Sequence, residues 1–286
     1  MKLSSTLNSY LQVAPMALVL LLFFGVPLLV VIAFSFFDFD GINSNPAFVW
    51  ANYAELFSSK VTLSLYLKTI YYAAVVWAIT LVVGFTVSYF LVFHVRSIIW
   101  QMALFLLCTV PFWTSNIIRM ISWIPFLGRN GIFNQALMGI GIIQEPLEFL
   151  LFSDFAVIVA YVHLFTLFMI VPIFNSMARI DRSVIEAAWD GGSSAWRIIW
   201  DIVIPLSKTG IALGSIFVIT LVMGDFFVVK VMSGSHSASV AMAMSNQIAM
   251  VQYPPAAASA VILLIIVTLM VAAILRIVDV RKELAG

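Results

Sequence analysis

Acidic and basic side chains that interrupt apolar stretches are the residues here that could act on a charged solute. Asp225 stands in Met223-Gly224-Asp225-Phe226-Phe227. Beside Phe226 its carboxylate either meets a solute or holds a gate, or it is an interface charge paired with Lys230 or Arg119. A second group is Val110-Pro111-Phe112-Trp113-Thr114-Ser115-Asn116, with Arg119 close behind. Pro111 has no amide to donate, so it bends a helix and frees backbone groups. Trp113, Thr114, Ser115 and Asn116 then either line a cavity or hydrogen-bond between helices, and Arg119 either faces the pathway or snorkels to the interface. Asp225 and Trp113 suit a cation, whereas Arg119, Arg129 and Lys230 suit an anion or a carboxylate-bearing zwitterion. His163 reads as a packed core histidine, and the single cysteine, Cys108, as a small buried apolar residue that excludes an internal disulfide.

The densest chemistry lies between residues 177 and 209, where eight charges fall from Arg179 to Lys208. Ser183 and Glu186 have the spacing of a capping box, which predicts a helix start at Ser183. Gly191-Gly192-Ser193-Ser194 breaks that helix, and an amphipathic pattern resumes from Ala195 and is expected to end at Pro205. Trp189, Trp196, Trp200, Ile198, Ile199 and Ile202 are more apolar than an exposed loop carries without a partner, so something docks there.

Several kinds of chemistry are missing. The chain has no phosphate-binding G-x-x-x-x-G-K-[ST], no HExxH, no GxSxG and no ligand-spaced His or Cys cluster. It is therefore expected to be no enzyme by itself and to need neither cofactor nor metal.

The elements that must position these residues follow from composition. Of 286 residues 63% are hydrophobic and 9% are charged, against about 25% charged in ordinary soluble domains. Most of the exterior must face lipid, and a net charge of +1 offers no basic field for nucleic acid. About 20 apolar residues cross a hydrocarbon core as a helix. Six runs qualify, near 11–37, 69–93, 98–118, 155–176, 210–229 and 255–275. The expected fold is all-α, a single six-helix transmembrane domain over 1–286, its first run an uncleaved helix. Lys and Arg concentrate on cytoplasmic loops. Lys2, Arg96, Arg179, Arg182, Arg197, Lys208, Arg276, Arg281 and Lys282 outnumber Lys60, Lys68, Arg119, Arg129 and Lys230 on the other side. Both termini and the 177–209 loop are thus expected in the cytoplasm. The stretch 231–260 has no charge but many Ser, Asn and Gln residues, which suits backbone packed within protein.

Glu186-Ala187-Ala188, three residues, Gly192, nine residues, Ile202, one residue and Ile204-Pro205 resemble the EAA loop of permease subunits of binding-protein-dependent ABC importers, with Ile204 in place of the usual leucine. The resemblance implies an inner-membrane, multi-pass subunit whose Glu186, Ala187, Ala188, Gly192, Ile202 and Pro205 contact a cytoplasmic ATPase dimer. It also implies a second, similar permease and a periplasmic solute-binding protein. The motifs around Pro111 and Asp225 resemble those of spermidine/putrescine-type permeases, although Lys230 and the loose Val231-Met232-Ser233-Gly234-Ser235 depart from that pattern. The implied solute is small and charged: a polyamine, or an amino-acid-like or opine-like compound. The rival reading is an ion-coupled secondary transporter or channel subunit, for which only Asp225 offers a coupling acid.

Overall fold

The computed structural model describes residues 5–41, 43–234 and 236–278. Lys2, Arg281 and Lys282, used above for orientation, and Ser235 of the loose motif lie outside the described residues. The all-α expectation holds: apart from a two-residue hairpin pairing Asp38–Phe39 with Ser44–Asn45, the regular elements among the described residues are helical. Among the described residues five helices are long and apolar enough to cross a membrane: Tyr10–Phe34, Lys60–His94, Asp154–Met177, Ala195–Gly224 and Tyr253–Arg276. A bent pair, Ile98–Trp113 and Asn116–Gly139, makes a sixth if it counts as one span.

That pair departs from the continuous run read over 98–118. Its halves meet at 90°. Pro111 sits in a tight turn, Val110–Trp113, and Thr114 and Ser115 then leave the helix with extended ψ values of 152° and 137°. Hydroxyls supply part of what the broken ladder loses: Thr109 donates to the Leu106 carbonyl and Thr114 to that of Pro111. The fifth run also differs. Its helix stops at Gly224, and a separate helix, Phe227–Met232, follows.

The contacts divide the chain into two compact units: residues up to 63 with Ala243–Ile265, and Ser64–Met242 with the residues from 266 onward. In the first unit, the helix Tyr10–Phe34 has no buried residue, as expected of a lipid-facing element. It leads into an aromatic cluster of Phe36, Phe48, Trp50 and Tyr53. Asn52 fastens the turn by donating to the carbonyls of Ser35 and Phe37 at 3.0 and 2.8 Å.

The second unit holds the tight core. Lipid is as apolar as leucine, so helices associate through close packing and polar contacts rather than by excluding water. Gly210 and Gly214, one turn apart on the fifth span, lie against the fourth. A Cβ at Gly210 would collide with the Pro172 carbonyl oxygen, and one at Gly214 would stand 2.7 Å from the Met169 sulfur. Gly84 of the second span meets the same Met169 side chain. Trp77 donates to the Ser215 hydroxyl at 2.8 Å, and Ser88 donates to the Ile170 carbonyl at 3.2 Å. Such interhelical bonds each contribute about 0.6 kcal/mol and add to the close glycine contacts in this three-helix packing.

Candidate functional site

The segment between the fourth and fifth spans is built by its caps. Asp181 is extended and accepts the Ser183 amide at 2.9 Å, starting the helix Arg182–Asp190. This corrects the capping box read at Ser183. The helix begins one residue earlier, so Ser183 lies inside its first turn and supplies the amide instead of accepting one. The Ser183 amide and hydroxyl together hold the Asp181 carboxyl below the usual aspartate range. The helix ends where Ser193 donates to the Ala188 carbonyl and Gly192 to that of Trp189, with Gly192 at φ +80°. That paired closure needs a left-handed residue, which explains glycine at 192.

Ser194 caps the next helix by accepting from the Arg197 amide. The chain does not stop at Pro205, as the sequence reading expected. It widens into a π turn over Ile199–Val203 and continues to Gly224. The wider turn accommodates a proline whose ring would otherwise press on the carbonyl four residues back. Arg182 fixes the segment to the second span, donating to the carbonyls of Val92 and Val95 at 3.1 and 3.4 Å.

Glu186, Ala187, Gly192 and Pro205 are exposed, while Ala188 and Ile202 are half-buried. Trp189, Trp196 and Trp200 are 52%, 68% and 54% exposed, and the last two meet edge to face. Ile198 is 2% exposed and turns inward, so it belongs to the core rather than to the free apolar face. The product is a capped helical hairpin presenting three indoles that the described residues leave more than half exposed.

The second candidate region gathers around the fourth span. The helix Asn116–Ile121 packs against Asp154–Met177 and Phe227–Met232, so the Pro111 and Asp225 motifs share a neighbourhood. Trp113, Thr114, Ser115 and Asn116 are exposed, and Phe226 is also exposed. Arg119 does not snorkel. It is 7% exposed, donates to the Asn116 side-chain carbonyl, lies over the Phe112 ring, and leaves its buried Nε without a partner. Asp225 is not mid-helix. It occupies the break after Gly224, accepts the Val228 amide at 2.8 Å, and receives the Tyr161 hydroxyl at 3.4 Å. Among the described residues no ion pair joins it to Lys230 or Arg119. His163 accepts a hydrogen bond from the Trp123 indole at 3.0 Å, consistent with a packed role. Arg129 pairs with Glu148 at 3.5 Å on an exposed surface. No group of three His, Cys, Asp or Glu residues placed to hold a metal occurs among the described residues.

A neighbouring polar knot escaped the sequence reading. Lys68 pairs with Asp154 at 3.1 Å, and the Tyr72 hydroxyl lies 2.6 Å from both an Asp154 carboxylate oxygen and the Ser237 hydroxyl. Thr69, one turn before Tyr72, accepts the Val240 amide at 3.0 Å, and Ser233 donates to the Ser237 carbonyl at 2.9 Å. Gly234 lies against Phe152, where a Cβ would stand 2.6 Å from the side chain. The usable signal was the pair Thr69 and Tyr72, spaced three residues apart on an apolar helix, together with the charge-free serine run after 232.

The family described as "Binding-protein-dependent transport system inner membrane component" matches residues 98–283. The spermidine/putrescine transport system permease protein PotB of Haemophilus influenzae is 29% identical over 232 residues, covering 80% of this chain and 79% of that protein. PotB of Salmonella typhimurium strain SL1344 is 31% identical over 234 residues, covering 82% and 80%. The fold is similar to a chain in the crystal structure of a bacterial alginate ABC transporter in complex with an alginate pentasaccharide-bound periplasmic protein. That match has a TM-score of 0.76, 16% identity and 95% coverage of both chains.

Proposed function

Because the chain belongs to the family of binding-protein-dependent transport system inner membrane components, a multi-pass permease of ABC importers, we propose that it forms half of the solute pathway and takes its driving force through residues 177–209. The observation that carries this reading is the uncovered face of Trp189, Trp196 and Trp200 beside the Gly192 turn. An aromatic face held by rigid caps suits a partner that must push on it. In this reading the segment is cytoplasmic, as are both termini, and Glu186, Ala187, Ala188, Gly192, Ile202 and Pro205 contribute to the ATPase contact.

The whole chain serves as one transmembrane domain, a second homologous but different permease supplies the other half, and a periplasmic binding protein delivers solute. ATP-driven closure of the ATPase dimer moves the segment and opens the cavity outward. The solute is a small organic cation of the polyamine class. Its support is the PotB relatives together with Asp225, Trp113 and Phe226, an acid and two aromatic faces suited to ammonium groups. Thr114, Ser115, Asn116 and Arg119 complete the pathway set. The buried, unpartnered Nε of Arg119 favours a second reading, a zwitterion whose carboxylate meets that guanidinium.

The test is Glu186→Lys and Gly192→Pro in cells carrying the whole importer, with putrescine uptake and ATPase co-purification measured at equal permease abundance. Loss of both is expected. Full uptake with an intact complex overturns the coupling assignment. Competition between putrescine and ornithine, the same diamine bearing a carboxylate, separates the two solute readings. Recovery of a functional importer containing two copies of this permease and no second one overturns the pairing.

A further inference from the structure

Asp225 accepts the Val228 amide at 2.8 Å within its own stretch of chain, but its contacts to the fourth span are long. The Tyr161 hydroxyl reaches its backbone carbonyl at 3.3 Å and its carboxylate at 3.4 Å, near the upper limit for a hydrogen bond. Those contacts do not by themselves fix the acid, and the orientation of the fully buried Tyr161 ring must come from its neighbours. One neighbour is Phe165, stacked at 5.6 Å on the same helix; the other is Tyr72 of the second span, edge-on at 6.4 Å. Tyr72 is 1% exposed. Its hydroxyl lies between Asp154 and Ser237 at 2.6 Å from each, and Asp154 is itself fixed by Lys68. A tyrosine bonded at its tip on two sides is held in one rotamer, so its ring gives Tyr161 a fixed edge to pack against.

We propose that Tyr72 is a positioning residue for Asp225: its captured hydroxyl fixes the Tyr161 ring, and through that ring the carboxylate and the helix start that Asp225 caps. The chain of contacts runs from Lys68 through Asp154, Tyr72 and Tyr161 to Asp225, crossing the second and fourth spans. Ser237 joins at the same hydroxyl, so the serine-rich stretch after Met232 shares its anchor with the acid. The proposal rests on the pathway reading only for its consequence in transport. The mechanical link itself is independent of which solute is carried.

Tyr72→Phe keeps the ring and removes both hydroxyl bonds. Hydrogen exchange on the assembled complex in lipid nanodiscs reads two sets of amides. One is 236–240, next to the lost Ser237 bond. The other is 227–229, which includes the Val228 amide held by Asp225. Both sets are expected to exchange faster, by about tenfold, as when a charged hydrogen bond is lost. Thr69→Val is the control: it releases the Val240 amide and is expected to speed exchange at 240 while leaving 227–229 unchanged.

Faster exchange at 236–240 alone in Tyr72→Phe overturns the proposal, as does an equal response at 227–229 in Thr69→Val. Putrescine uptake then separates the two levels. A several-fold rise in KM at unchanged maximal rate in both Tyr72→Phe and Asp225→Asn supports positioning of a solute contact. An unchanged KM in Asp225→Asn overturns the pathway role of Asp225, while the exchange result still decides the link to Tyr72.

Discussion

The 177–209 segment and the knot around Tyr72 both concentrate polar side chains in a lipid-facing protein, yet they resolve their polarity in opposite ways. In the knot, Lys68, Asp154, Tyr72 and Ser237 are partnered by one another. In the segment, caps satisfy backbone amides and Arg182 donates to carbonyls at the end of the second span, while three indoles stay more than half exposed. The first arrangement completes itself within one chain. The second is finished in its backbone and unfinished on its surface, which is the form of a docking element.

The comparison breaks most directly at the indoles. Trp196→Ala with Trp200→Ala is expected to weaken ATPase association by about 3 kcal/mol, roughly a hundredfold, given that a single tryptophan anchor costs about 2 kcal/mol or more and that neighbouring anchors are not additive. Thermal stability of the isolated permease should hardly change, because the indoles have little cover within the chain. Co-purification and a melting curve together check this. A large loss of stability with full association would show that the two regions do not differ as described.

The converse applies to the knot. Asp154→Asn removes the charge from a hydrogen bond to a buried tyrosine and breaks the ion pair with Lys68. A hydrogen bond to a charged group is worth about 1.5 to 3 kcal/mol, and partial exposure of Asp154 places the loss near the lower figure. A melting temperature lower by a few degrees, with unchanged ATPase association, is expected. Lys68→Gln should cost less than about 1 kcal/mol, since the pair is partly exposed at both ends. Tyr72 and Ser237 remain bonded to the carboxylate side in that variant. A larger effect for Lys68→Gln than for Asp154→Asn would make the ion pair, rather than the tyrosine hydroxyl, the centre of the knot.

The two regions were also unequally legible in the sequence. The segment is local: Glu186, Gly192 and Pro205 fall within 20 residues, and helix caps act over three or four positions, so its hairpin could be read from spacing. The errors there were of register. Asp181 took the role given to Ser183, and a π turn carried the chain past Pro205. The knot is assembled across separations of 82, 165 and 171 residues, and no periodicity connects positions so far apart. The break at Thr114 and Ser115 lay between these extremes. Pro111 announced it, but hydropathy alone continued the run to 118. Asp225 was placed inside a helix for the same reason, because Phe226, Phe227, Val228 and Val229 extend the apolar run beyond the point where the backbone turns.

The finest distinction between the regions lies at Asp181, because the segment's rigidity depends on caps that face water. Asp181→Ala removes the acceptor for the Ser183 amide and should fray the first turn of Arg182–Asp190. Ser183→Ala removes only the hydroxyl and should do less, which reverses the order expected of a capping box. The pH dependence has a fixed sign. The folded Asp181 carboxyl titrates below its ordinary range because the Ser183 amide and hydroxyl favour the charged form. Its stabilisation is therefore complete above the ordinary aspartate range and is lost as pH falls through the depressed folded value. Protection of the 183–185 amides, taken relative to their intrinsic exchange rate at each pH, should fall in acid in the native chain and be lowered already at neutral pH in Asp181→Ala, with no further acid step. If Ser183→Ala produces the larger neutral-pH effect, the serine is the cap after all, and the segment starts one residue later than Arg182.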